Sequence, residues 1–450
     1  MKPLIVVFML VLCAVGIVSV ARMSGAPSNA LATEDVAQRS DDQAINAIAA
    51  SMVDRGRQIF RYDTFGDEAF WTQALKLQLA IEGASLGGVG AGVSPKAALT
   101  VGLKVDMDKL PAALVAQIKA GRVDLGSPAT TLALLQEDAV VGVKASVGAA
   151  NGHPQIRSVG ISCALCHSTV DNAFAPGIGH RLDGWPNRDL NVGAIIAMAP
   201  DLSVVQKLLG ANRSTVVKVL HSWGPGKFDA ELFMDGKAFR PDGKSAATLL
   251  PAAFGLAGVN LHTYTGWGSV TQWNAFVANL EMHGSGTYFD PRLADGKRFP
   301  IAAKAKFYNV RARVDNVTSK LAALQFYQLA IPAPTAPAGS FDDAAARRGR
   351  DVFAMAQCSR CHVPPLYTEP GWNMHTAQEV GIDDFQASRS PDDRYRTTPL
   401  RGLFARSQGG YYHDGRFPTL DAVVAHYDTF LKLHLSSDQR HDLVEYLKSL

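Results

Sequence analysis

Two short stretches, "ISCALCH" at 161–167 and "QCSRCH" at 357–362, each place two cysteines three residues apart with a histidine directly after the second. Composition alone gives roughly 0.0015 C-x-x-C-H matches in a chain of this length, and two are present. Two thiols at this spacing reach the two vinyl groups of one porphyrin as thioethers. The histidine that follows is then held beneath the iron as its proximal ligand. Disulfides, a redox dithiol or half a zinc site are the other uses of a C-x-x-C pair. The doubled motif favours two covalently bound haem c groups, one on Cys163, Cys166 and His167, the other on Cys358, Cys361 and His362.

The fifth cysteine, Cys13, sits in an apolar run from Pro3 to Val20 that follows Lys2 and ends in Ser19-Val20-Ala21. That pattern reads as a signal peptide over residues 1–21, hence an exported, periplasmic chain. An uncleaved N-terminal anchor, tethering the protein to a membrane, is the competing reading of the same run. The composition, 47% hydrophobic and 19% charged, is that of a chain able to bury a core. A net charge of +3, evenly spread, is too weakly basic to argue for nucleic acid.

Repeats organise the rest. "RGRDVF" at 348–353 precedes Cys358, and "RGRQIF" at 55–60 is nearly the same hexapeptide. Phe353 stands 5 residues before Cys358 but Phe60 stands 103 before Cys163, so the first copy carries about 98 extra residues, at about 61–158. His180 and His375 each follow their C-x-x-C-H histidine by 13 residues. "TLLPAAFGL…HTYTGWGSV" at 248–270 aligns loosely with "TTPLRGLF…YYHDGRFPTL" at 397–420, Gly266 against Gly415. "AIPAPTAPAGS" at 330–340 is a proline-rich break. The expected fold is mainly α, with two cytochrome c-like helical domains: 45–330 with the insertion, a linker at 331–340, and 341–450.

Helical spacing marks 341–353, 437–450, and, within the insertion, 109–121 and 127–143, with Pro128 in a first turn and Ser437 or Asp438 available to cap the last helix. The glycine-rich stretch at 83–92 reads as a flexible loop, without the lysine of a phosphate loop.

"TTPLRGL" at 397–403, "YYHDGRFPTL" at 411–420 and "DAVVAHYD" at 421–428, after a C-x-x-C-H, resemble the C-terminal domain of bacterial di-haem cytochrome c peroxidases. They are equally similar to the related di-haem enzymes that mature a tryptophan-derived quinone cofactor. The resemblance covers about 345–450 well, 150–330 in outline and 61–150 not at all. It implies a periplasmic oxidoreductase that takes electrons from a small redox protein, a mono-haem cytochrome or cupredoxin, and delivers them to peroxide. A non-catalytic electron-transfer cytochrome and a cofactor-modifying oxidase are the alternatives.

The resemblance also puts the second axial ligand of the C-terminal haem at Tyr427, where the peroxidases have methionine; the internal repeat offers His375 instead, with His426 nearby. For the first haem the family's aromatic-Asp-Gly-Arg stretch is replaced by "TGWGSV". Downstream, "NLEMHG" brings Glu281, Met282 and His283 together, and Glu281 is the candidate acid/base. His180 is the candidate that would instead close that iron. A tryptophan among Trp185, Trp223, Trp267, Trp273 and Trp372 would assist electron passage, and a calcium ion is implied near Thr397-Thr398-Pro399, with Asn187 and Asn191 as oxygen donors.

Overall fold

The computed structural model describes residues 30–150 and 152–450, so the leader and Cys13 lie outside the described residues. Contacts divide the chain into two units, Met1–Ala50 and Ser51–Leu450. What is described of the first is helical, the opening turns of α1 (Ala30–Tyr62). The second carries both C-x-x-C-H sites and is built mainly of helices, with five two-stranded ladders among the described residues. None of the described helices is long and apolar enough to cross a membrane.

The repeated hexapeptide marks the same helix crossing twice. At Gly56 in α1, a Cβ would lie 2.0 Å from the Ala323 carbonyl oxygen and 2.6 Å from Tyr327 Cβ, both on α6 (Leu321–Ala330; α2 to α5 are given below). At Gly349 in α7 (Asp343–Met355), a Cβ would lie 1.9 Å from the Asp442 carbonyl oxygen and 2.8 Å from Tyr446 Cβ, both on α9 (Ser437–Ser449). In each case glycine lets two backbones touch, and the partners are four residues apart, one turn of one face. The flanking rings match as well: Phe60 meets Tyr327 edge-on at 5.5 Å, and Phe353 meets Tyr446 edge-on at 5.4 Å. The capping residue of α9 is Ser436, one position before the expected pair, in a reciprocal box with Gln439.

The looser alignment of 248–270 with 397–420 also has a backbone counterpart. His262 bridges Gly268 as Tyr411 bridges Phe417, four residues before and two after the aligned glycines Gly266 and Gly415. Thr263 and Tyr412 both adopt φ +67° at matching positions. Ser269 then caps α5 (Val270–Phe276) and Thr419 caps α8 (Leu420–Leu431).

Residues 61–158 depart from expectation in one place. Helices form at α2 (Ala112–Lys119) and α3 (Pro128–Gln136), the latter with Pro128 in its first position after the Ser127 cap. But α3 stops at Gln136 and does not run to 143, because Asp138 takes φ +54° and Gly142 φ +75°. A Cβ at Gly142 would sit 2.0 Å from the Leu165 backbone nitrogen. The chain turns instead into β1 (Val143–Ala150), paired antiparallel with β2 (His153–Ile161), which delivers it directly to Cys163. The glycine-rich loop is anchored at its base, where Gly83 abuts Gly92 and a Cβ at Gly88 would lie 2.1 Å from the Leu79 carbonyl oxygen, while its tip at Val89 and Gly90 is exposed.

Asp67 pins β2 by accepting from the Ile161 N–H through Oδ2 at 3.1 Å, while its Oδ1 is buried without a partner among the described residues. Burial pushes its carboxyl up to about 9, outweighing that hydrogen bond. A raised folded pKa gives stability that is full below the ordinary value of 3.8 and lost as pH rises toward 9. Asp67→Asn is therefore expected to raise the melting temperature at pH 8 and to leave it nearly unchanged at pH 4. Equal shifts in the two melts would refute the assignment.

Candidate functional site

The first C-x-x-C-H opens on α4 (Ala164–His167) and faces a cavity of about 280 Å³ lined by Cys163, Cys166 and His167. Much of the apolar wall comes from residues 61–158, including Phe70, Trp71, Ile81, Leu135 and Val143. Trp71 is tied across the cavity's edge by its Nε1–H, which donates to the Met282 carbonyl at 3.2 Å. The stretch without a counterpart in the resemblance thus walls the site.

His167 Nδ1 lies 3.0 Å from the Pro251 carbonyl oxygen. A carbonyl only accepts, so Nδ1 carries the proton and Nε2 keeps its lone pair for a metal. His362 repeats the arrangement, Nδ1 lying 3.1 Å from the Tyr367 carbonyl oxygen. Burial pushes the Cys163 and Cys166 thiols up to about 12 and Cys358 up to about 11. Redox dithiols work through a lowered thiol pKa, so these pairs are poor matches for that chemistry. Paired thiols, a histidine with a free Nε2 and an apolar cavity fit a covalently attached haem at the first site.

Glu281 joins the first site. Helix α5 continues into one π-helical turn, Val277–Glu281, a wider turn that recurs at functional sites. Glu281 lines the cavity beside Cys166, and both its carboxylate oxygens are sealed from bulk solvent with no hydrogen-bond partner among the described residues. Burial, reinforced by Glu231 and Asp229, holds its carboxyl well above the usual range. Met282 and His283 line the same cavity; His283 stacks on Phe70 at 3.7 Å, and burial lowers it to about 4.

His180 does not join them. Its ring is exposed and lies 2.8 Å from Asp108 Oδ1, away from the cavity lining. At the second site both candidates are present. His375 is half-buried with Nε2 2.6 Å from Glu369 Oε2, and these two gather with Cys361 closely enough to hold a metal ion. That use needs a free Cys361 sulfur, which a thioether would consume. Tyr427 stands near Cys358 and Cys361, its ring centroid 6.4 Å from that of Tyr412, and burial raises its hydroxyl pKa. His426 packs between Phe417 and Phe430.

The oxygen donors suggested for calcium are largely committed. The Pro399 carbonyl accepts from Arg406 at 2.8 Å, Thr397 Oγ1 donates to Glu369, and Asn191 Oδ1 caps Ala194 at 3.0 Å. Asn187 Oδ1 is buried and unpartnered among the described residues. Of the tryptophans, Trp273 lines the cavity and Trp185 packs edge-on to Phe404 at 5.5 Å. Trp223 and Trp267 are core residues, and Trp372 is 75% exposed.

Sequence reasoning missed a charged cluster beside the cavity. Arg389, 0% exposed, donates to Asp235 Oδ2 and Asp229 Oδ1, both at 2.8 Å. Burial, against the pull of Arg389, pushes Asp229 up to about 7; it also raises Glu231, which lines the cavity. The "DGR" in the quoted C-terminal stretch hinted at such pairing: Arg416 binds Asp414 and Asp383, and Arg240 reaches Asp383 at 2.8 Å.

No protein-family model matches the chain. It is similar to methylamine utilization protein MauG of Methylorubrum extorquens, 28% identical over 180 residues, 35% of this chain and 47% of the relative, so it spans about half the length of that relative. Among solved structures, a hydrazine synthase of Kuenenia stuttgartiensis is 18% identical, covering 49% of this chain and 86% of that one, with a TM-score of 0.25. A MauG-like protein associated with microbial copper homeostasis is 16% identical, covering 49% and 81%, with a TM-score of 0.30. Through its two C-x-x-C-H sites and the sequence match to MauG, the chain is related to the di-haem cytochrome c peroxidase-like superfamily.

Proposed function

We propose that the protein is an exported di-haem c-type cytochrome that reduces peroxide with electrons from a small redox protein: H2O2 + 2 e− + 2 H+ gives 2 H2O. The observation that carries this reading is the Glu281 carboxyl, unpartnered and held above the usual carboxylate range by burial, in the cavity of Cys163, Cys166 and His167. The haem, when bound, supplies the redox centre and a coordination position for peroxide. Glu281 would give its proton to the departing peroxide oxygen and recover one from the near oxygen, which lowers the cost of breaking the O–O bond. Glu231, on the same wall and also raised by burial, is a neighbouring proton store. The apolar wall built by 61–158 keeps bulk water from the exchange.

Optical and electron paramagnetic spectra of the oxidised and half-reduced protein test this. One high-spin haem that responds to peroxide is expected; two low-spin haems at every redox level, unmoved by peroxide, would overturn it.

Tyr427 beside Cys358 and Cys361 favours a second reading, a cofactor-modifying oxidase, because an oxygen ligand stabilises higher iron oxidation states than methionine does. Tyr427→Phe is expected to shift the absorption spectrum of the C-terminal haem alone. An unchanged spectrum would move the assignment to His375.

A further inference from the structure

Three arginines, Arg188 buried and Arg396 and Arg406 half-buried, have no carboxylate to meet them. Arg188 is 7% exposed; its Nη1 donates to the Gln408 carbonyl at 3.2 Å and its Nε is sealed without a partner. Arg406, two residues before Gln408, spends Nη1 and Nη2 on the Pro399 and Arg401 carbonyls and leaves Nε sealed without a partner. Arg396 donates from Nε to the Thr263 carbonyl at 2.9 Å and from Nη1 to the Leu261 carbonyl at 3.0 Å, which leaves Nη2 free. Among the described residues none of the three forms an ion pair with a carboxylate. They are close enough to repel one another, Arg406 acting on Arg396 and Arg188 on Arg406, with Tyr264 among them.

Guanidinium stays charged at neutral pH, and burying an uncompensated charge costs several kcal/mol. After burial, that mutual repulsion is what lowers Arg396 and Arg406, each to about 10. Carbonyl oxygens satisfy hydrogen bonds but supply no net negative charge. The cluster is therefore a receptor for an anion that the polypeptide does not provide. Its location names the anion: Arg396, with Tyr264, lines the same cavity as Cys163, Cys166 and His167, and Arg188 and Arg406 stand behind that wall.

The geometry points to Arg188, Arg396 and Arg406 as the receptor for the propionate carboxylates of the haem attached at Cys163 and Cys166. Two propionates bring two negative charges, and guanidinium is the side chain best shaped to hold carboxylates. Arg396 and Arg406 come from the C-terminal half of the chain, so the half that does not carry this haem's thioethers would set the charge around it. The inference rests on the reading that a haem is attached at that site, and it stands whether or not peroxide is the substrate.

The test is a redox titration with resonance Raman spectra of the haem-loaded full chain. In Arg396→Gln the N-terminal haem's reduction potential is expected to fall, since a cation that favours the reduced iron is gone. The propionate-bending band should move with it, the C-terminal haem should keep its potential, and Arg396→Lys should restore most of the potential. If Arg396→Gln fails to fold, Arg188→Gln serves in its place with the same expectation. An unmoved potential and band would overturn the assignment. So would a spectral response to added inorganic phosphate that Arg396→Gln abolishes while the propionate band stays put, which would give the site to a diffusible anion. Mass spectrometry showing no haem on Cys163 and Cys166 would overturn the haem reading itself, a distinguishable failure.

Discussion

Glu281→Gln is expected to load haem as the parent chain does and to lose peroxide turnover by about 10²–10⁴-fold, the usual range for removing a positioned acid/base. The amide keeps the shape of the carboxyl but cannot take up and return a proton. It also carries no charge, so it suits the sealed pocket in which both Glu281 oxygens lie unpartnered. Folding is therefore not the expected casualty. The pH profile supplies a second reading. Glu281 is held above the usual carboxylate range by burial, then by Glu231 and Asp229, so turnover that needs its proton extends above that range and falls as pH climbs through the raised pKa. The variant should lack that alkaline limb. Steady-state assays with a reduced donor cytochrome, normalised to haem content, decide the matter; turnover within about two-fold of the parent would remove Glu281 from the chemistry.

The second large effect is structural. Gly349→Ala would drive a Cβ to 1.9 Å from the Asp442 carbonyl oxygen, and Gly56→Ala would drive one to 2.0 Å from the Ala323 carbonyl oxygen. Both obstacles are backbone atoms in packed helices, so the helices must separate and expose the Phe353–Tyr446 or Phe60–Tyr327 contact. A loss of about 3 kcal/mol or more is expected for each, with poor haem attachment at the C-x-x-C-H site of the same half. Gly296→Ala is the control, its nearest neighbour being Ala303 Cβ at 3.7 Å, and should stay within about 0.5 kcal/mol of the parent in denaturant titrations. If the three variants melt alike, the crossing does not do what the distances imply.

Those glycines show where sequence reading succeeds and where it stops. The two hexapeptides were legible as a repeat, but their purpose, a close helix crossing, needed the partners at 323 and 442, far along the chain. The two C-x-x-C-H motifs were legible because their pattern is local, complete within five residues. His180 looked like the twin of His375 at the same spacing, yet one ring lies on the surface against Asp108 and the other half-buried against Glu369. Spacing along an irregular loop carries no information about side-chain direction. Glu281 was identified by its neighbours in "NLEMHG", while the π-helical turn that ends at it has no signal in a hydrophobic pattern. Arg188, Arg396 and Arg389 were invisible for a plainer reason: their partners lie far off in sequence, 220 residues away for Arg188 and 154 and 160 for Arg389.

Arg389 also bears on the spacing of the two C-x-x-C-H sites. It belongs to the stretch after the proline-rich segment, yet it is wholly enclosed by Asp229, Asp235 and the Ala246 carbonyl from the stretch before it. The Leu249 N–H adds a 2.7 Å hydrogen bond to the His413 carbonyl. A protease nick at 331–340 should accordingly leave two fragments that migrate together. With the two stretches tied in this way, electrons passing between haems at the two C-x-x-C-H sites, on the proposed reading, would cross a gap that these contacts hold, at a rate set by tunnelling distance without waiting for a hinge to swing.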